Sequence, residues 1–191
     1  VRHGLVHLAV GAAAALLAGC ASAPVPPDWQ TNSHGALKDF TRAYLAGNSR
    51  VAAQEFARLQ TEIAATGRTD LAARAQAVRC AVRVASLEFD NCAGFEPLAV
   101  DAGTPERSYV AYLTGRWPGM DLATLPQQHR GVVTATDPNA RQAALAAMQD
   151  PLSRLIAAGA LLQIGQLSPA GVALAVQSAS GEGWRRPLLA W

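Results

Sequence analysis

Residues 70–87 read DLAARAQAVRCAVRVASL, and this stretch decides the fold. Leu71, Ala75, Val78, Val82 and Ala85, continued by Phe89, recur with the 3.6-residue period of a helix. Ala73, Ala77, Cys80, Val84 and Leu87 form a second apolar face, which leaves Arg74, Gln76, Arg79, Arg83 and Ser86 for water. A helix apolar on two sides needs a neighbour on each. It is therefore expected at the centre of the first half of a helical domain.

The flanking sequence supplies those neighbours. Residues 49–65 place Ala52, Phe56, Leu59 and Ile63 on one helical face, turn Gln54, Glu55, Arg58 and Glu62 away from it, and stop near Gly67. Residues 36–46 predict an earlier helix ending near Gly47. Downstream, Thr104-Pro105, Asp137-Pro138, Asp150-Pro151 and Ser168-Pro169 mark helix starts. Proline suits the first helical position because its missing N–H would be unpaired there, and Thr, Asp or Ser before it can cap the free N–H groups. Residues 152–164 are apolar nearly all round and are expected at the centre of the second half. At the end, GWRRPLLAW (183–191) offers Trp184, Leu188, Leu189 and Trp191 to seal the last helices.

Abundant alanine, 6% aromatics and the lack of long alternating Val/Ile/Thr runs agree with an all-α class. Short connections favour antiparallel neighbours, so the expectation is about seven helices stacked as antiparallel hairpins. Two arrangements stay open, a repeat array and an irregular bundle. AYLAG (43–47) returns as AYLTG (111–115) at twice the ~34-residue period of tetratricopeptide repeats. Residues 160–187 loosely resemble one such unit, with Gly165 near its turn, Ala175 and Ala179 at packing positions and Pro187 near its end.

The N-terminus carries an address. Arg2 precedes LVHLAVGAAAALLAG (5–19), an uncharged apolar run of secretory-signal type. It is shorter than the ~20 residues that span a bilayer. Leu17-Ala18-Gly19-Cys20 resembles the lipobox of bacterial lipoproteins. The resemblance implies acylation at Cys20, which becomes the first mature residue, and several acyl chains anchor stably. An ordinary cleaved signal with an incidental cysteine is the alternative. Ala21 in place of aspartate implies, by likeness to lipoprotein sorting rules, the outer membrane facing the periplasm. The expected division is a signal over 1–19, an acylated cysteine and Pro-rich tether over 20–35, and one helical domain over 36–191.

Whole-chain resemblance points the same way. Residues 59–68 (LQTEIAATGR), RCAVRVASLEFDNC (79–92) and the GWRRPLLAW end resemble a group of uncharacterised Gram-negative lipoproteins. The resemblance implies a location and no activity.

Beyond Cys20 only Cys80 and Cys92 remain. In an oxidising compartment such a pair is expected to bond. From Cys80 to Phe89 a helix advances ~13 Å, and three extended residues return ~10 Å. That leaves Cα atoms within the ~4.4–6.8 Å of a disulfide if the chain doubles back at once, and Asp90, Asn91 and Gly94 suit the reversal. Two free thiols are the alternative.

Chemistry is sparse. His34 and His129 have no spacing partner, and His129 in PQQHRG reads as a surface histidine. Glu88 and Asp90 could act as acid and base but more simply close a helix. The serine-nucleophile motifs and the glycine-rich phosphate loop are missing, so no cofactor, metal or catalytic residue is expected. A formal net charge of +2 argues against a nucleic-acid partner. Arg79 and Arg83, one turn apart on the exposed stripe, and Trp184-Arg185-Arg186 are the candidate partner-binding residues, since arginine and tryptophan are enriched at binding hot spots. The expected function is a lipid-anchored periplasmic binding or scaffold protein assisting an envelope complex. The alternatives are a pilotin-like assembly factor and an envelope enzyme with an acidic catalytic residue such as Glu88.

Overall fold

A computed structural model describes residues 26–191, so the signal, Cys20 and the first part of the tether lie outside the described residues. Among the described residues the chain is all-helical: α1 (Asp28–Leu45), α2 (Ser49–Ala64), α3 (Thr69–Val84), a 3-10 turn (Glu96–Leu98), α4 (Thr104–Leu113), α5 (Gln127–Thr134), α6 (Pro138–Ala147), α7 (Pro151–Gln163), α8 (Pro169–Gly181) and α9 (Arg185–Ala190).

α1 starts at Asp28, eight residues before the expected boundary, so residues 28–35 are helix and not tether. Asp28 opposes the positive end of the helix dipole directly after Pro27, whose ψ of 149° sets the helix entry. Trp29 is half-buried at the edge of a hollow that Leu37, Leu59 and Leu71 also line, and Asn32 in the added turns donates to Glu62 Oε1 at 3.2 Å.

Three of the four capped starts form as the side-chain chemistry dictates. Asp137 accepts from Asn139 and Ala140 N–H, Asp150 from Ser153 and Ser168 from Gly171. Thr104 is the exception. Its helix starts one residue earlier with Gly103 as the cap, and no side chain caps it.

The repeated pentapeptide proves to be a helix stop. Gly47 (φ 84°) and Gly115 (φ 73°) take the left-handed conformation just past α1 and α4. The next residue's N–H then reaches back to Ala43 and Ala111 O, both at 2.9 Å.

α3 lies between two clusters. Ala75 and Val82 join Phe40, Leu45, Phe56 and Leu59 of α1 and α2. Ala73, Ala77, Cys80 and Val84 join Tyr112, Leu113, Leu155 and Leu161 of α4 and α7. The helix ends at Val84, three residues before the expected stop, because Leu87 turns left-handed (φ 57°) and Glu88 N–H bonds to Arg83 O. Ala85 consequently packs on the second cluster and Phe89 is 43% exposed, so neither extends the first apolar face.

α7 is buried from Leu155 through Leu161 and touches α3, α4, α5, α6 and α8. Gly159 permits the closest approach, since a Cβ there would stand 2.5 Å from Val84 O. α9 then returns to α1, and Trp184 packs on both clusters. Contacts that bring the last helix to the first describe an irregular bundle closed around α3 and α7, whereas repeats in an open array touch only their neighbours. Trp191 secures the end by donating from its indole to Ala85 O at 2.9 Å. Leu188 and Leu189, expected to seal the bundle, are exposed, and Pro187 is the buried residue of α9.

Cys80 and Cys92 lie at disulfide distance with Cα atoms 5.2 Å apart. Helix α3 stops early enough for the chain to return through Asn91 and Cys92, both left-handed, and Asp90 accepts from Cys92 N–H. Gly94 contributes differently from its expected turn role. It lets the returning backbone pass against Gln76, where a Cβ would meet the amide oxygen at 2.4 Å.

Candidate functional site

The exposed stripe of α3 faces a cleft between α1, α2 and α9. Its volume is about 390 Å³, with Phe40, Tyr44, Ala52, Ala53 and Phe56 forming an apolar side and Arg79, Arg83, Arg186 and Glu88 a charged one. Arg79 and Arg83 also line an adjoining hollow of about 240 Å³ beside Asp90 and the Cys80–Cys92 pair. The two arginines stand one turn apart between these spaces.

The three guanidinium groups are engaged to different degrees. Arg186 is held on every side. It donates to Tyr44 O at 2.8 Å, Glu88 Oε1 at 3.0 Å and Ser49 Oγ at 2.6 Å, and lies 4.2 Å over the Tyr44 ring. Arg83 pairs with Asp90 at 2.7 Å and more loosely, through its buried Nε, with Glu88 at 3.6 Å. Arg79 has no carboxylate within ion-pair distance among the described residues and rests 4.8 Å over the Phe56 ring. A guanidinium on an aromatic face is held by the ring quadrupole while its N–H groups stay free at the edge.

Tyr44 completes the wall. It is 9% exposed, and its buried hydroxyl is turned to Glu88. Burial, and then the nearby Glu88 carboxylate, push the phenol well above its ordinary value, with Arg186 and Arg83 pulling the other way. Glu88 raises it first as an acceptor facing the hydroxyl and then through its charge.

The structure therefore brings Arg79, Arg83 and Arg186 together with Glu88 and Asp90, from segments about a hundred residues apart. Trp184 and Arg185 do not join them. Trp184 is spent on core packing, and Arg185 is exposed beside Gly47, outside the cleft lining. Tyr44, Phe40 and Phe56 escaped sequence reasoning as site residues because each also belongs to the core pattern of its helix. Only the placement of Tyr44 in the last turn of α1, beside its glycine stop, hinted that its ring would lie at an edge.

His129 is a correction. It is 1% exposed, with Nδ1 3.2 Å from Tyr112 Oη and its ring among Tyr109 and Tyr112. The loop after α4 returns Trp117 onto Tyr112, and α5 tucks the imidazole beneath. Burial pushes its pKa down to about 4, with Asp150 opposing. Among the described residues no group of three His, Cys, Asp or Glu side chains converges as it would around a metal ion.

No family model, curated protein or solved structure matches the chain.

Proposed function

We propose that this protein is a binding or scaffold protein, held at the outer membrane by lipid on Cys20, that assists an envelope complex through protein–protein contacts. The observation carrying the proposal is the cleft beside α3, in which an aromatic-backed arginine without a carboxylate partner faces a preorganised wall. Aromatic and arginine side chains are enriched among the residues that carry most of the energy of an interface. The lipobox-like LAGC and the apolar run before it support the location, and no described helix is long and apolar enough to cross a membrane. Glu88 is engaged by Arg83 and Arg186, which suits a carboxylate that positions arginines better than one that cycles a proton.

Cross-linking in intact cells, capture and mass spectrometry test the proposal, with Cys20→Ala and Arg79→Glu as comparisons. A small set of envelope proteins captured by the native chain and lost in both variants is the expected result. Capture that is indifferent to both changes would overturn it.

The pilotin-like reading has one observation of its own. An apolar groove of about 430 Å³ runs between α2 and α3, lined by Ile63, Ala64, Ala72, Ala75 and Leu98. If Ala72→Glu, and not Arg79→Glu, abolishes capture of a single secretion or pilus subunit, that reading replaces the first.

A further inference from the structure

The charges around the cleft leave one unit unmatched. Arg79, Arg83 and Arg186 face Glu88 and Asp90, and the ion pairs recorded there use Arg83 and Arg186 with both acids. Arg79 is left over, fixed over Phe56 with its donors free. Tyr44 and Arg83 are turned to Glu88, Arg83 through its Nε at 3.6 Å, so neither takes up the charge of Arg79. A guanidinium only donates, so an acceptor is what fits Arg79.

We propose that this cleft is a monocarboxylate site, taking a single carboxylate attached to an apolar group, with the carboxylate on Arg79 and the apolar group against Ala53 and Phe56. The inference rests on the binding reading above and names the chemistry of its ligand. A carboxylate matches the planar fork of an arginine in bidentate fashion. One negative charge neutralises the surplus, whereas a phosphate dianion would face Glu88 and Asp90 with a charge in excess. The apolar side of the cleft, Phe40, Ala52, Ala53 and Phe56, asks for a side chain beside the acid and not for a bare anion. The free C-terminus of a partner ending in an apolar residue and a small apolar acid share this chemistry.

N-acetylphenylalanine, its carboxamide and inorganic phosphate are the probes, followed through the arginine side-chain Nε–Hε resonances of the full chain. Titration with N-acetylphenylalanine is expected to move the Arg79 resonance to saturation. Arg79→Gln should weaken binding by at least about tenfold, and Arg185→Gln, outside the cleft, should leave it unchanged. The carboxamide and phosphate should not bind. Equal binding of the carboxamide or of phosphate, or full affinity in Arg79→Gln, would overturn the assignment, as would silence at Arg79. Peptides with a free apolar C-terminus separate the sources: binding tighter than the single amino acid identifies a protein tail, and weaker binding identifies a small acid. Partners captured in cells by a protein that ignores N-acetylphenylalanine would overturn this site and leave the scaffold proposal standing. Saturable binding without any captured partner would do the opposite.

Discussion

Acid should destabilise this protein through one buried histidine. His129 is enclosed by Tyr109, Tyr112 and the chain around Trp117, and among the described residues Asp150 is the carboxylate whose charge reaches it. Unfolded, the imidazole takes up a proton near pH 6.5; folded, it does so only near pH 4. Between those values the unfolded state binds more protons. Stability is therefore full above about pH 6.5 and falls as the pH drops towards 4. Linkage puts the loss at about 1.4 kcal/mol at pH 5.5 and about 2.5 kcal/mol at pH 4.5, a sizeable part of the 5–15 kcal/mol typical of a domain. Urea unfolding at pH 7.0, 5.5 and 4.5 measures it, with His129→Gln as reference. The variant is expected to be less stable at neutral pH, because it disturbs a packed aromatic cluster, so its slope against pH is the quantity to compare. Surface carboxylates titrate in both proteins and cancel in the difference. If the two proteins lose stability in parallel between pH 7.0 and 5.5, His129 is not charging against its burial and the reasoning fails.

Glycine substitutions should split by sign. Gly159→Ala forces a Cβ to 2.5 Å from Val84 O and 2.8 Å from Val84 Cγ1, so overpacking should outweigh the gain in helix propensity and cost about 1–2 kcal/mol. Gly35→Ala, within α1 and with nothing near the new methyl, should stabilise by up to about 1 kcal/mol; urea midpoints moving in the same direction would contradict the split. Replacing both Cys80 and Cys92 by alanine opens a loop with a sequence separation of 12 and should cost roughly 3 kcal/mol on chain-entropy grounds, read from urea unfolding of the oxidised native chain against the variant. Asp137→Ala removes the one carboxylate oxygen that accepts from two N–H groups at the start of α6 and should cost about 1 kcal/mol, whereas Thr104→Ala, at a position that caps nothing, should change the thermal midpoint little.

Much of the bundle was legible because its signals are local. The period of residues 70–87 predicts a helix clamped from two sides, and the two clusters on either side of α3 are that clamp. Side-chain caps at Asp137, Asp150 and Ser168 depend on contacts two or three residues away, within reach of sequence reasoning. Misreadings arose where tertiary contacts overrode composition. A Pro-rich, polar opening reads as tether, yet residues 28–35 are helix and Asn32 reaches Glu62 of α2, thirty residues on. His129 reads as surface in PQQHRG because the tyrosines that bury it come from α4, seventeen residues back in the case of Tyr112. The pentapeptide AYLAG/AYLTG suggested a long-range repeat, yet its function is complete within one helix turn.

The site was legible only in half, and the missing half follows from the same two-sidedness of α3. Because both apolar faces are consumed by packing, whatever α3 can offer a ligand must lie on its narrow polar stripe, and Arg79 and Arg83 were identifiable there. What decides their roles lies elsewhere. Glu88 reaches the cleft only because α3 stops at Val84 and Leu87 turns left-handed, while Arg186 reaches it only because α9 folds back on α1. Those arrivals bind Arg83 and leave Arg79 free, so two arginines with the same spacing, helix and composition acquire opposite duties. Arg83 ties the turn after α3 to the bundle through Glu88 and Asp90, and the Cys80–Cys92 pair closes the same turn from below. Arg79 keeps its charge for something else. Periodicity can locate the stripe, but only the closed bundle determines which cation on it remains to be answered.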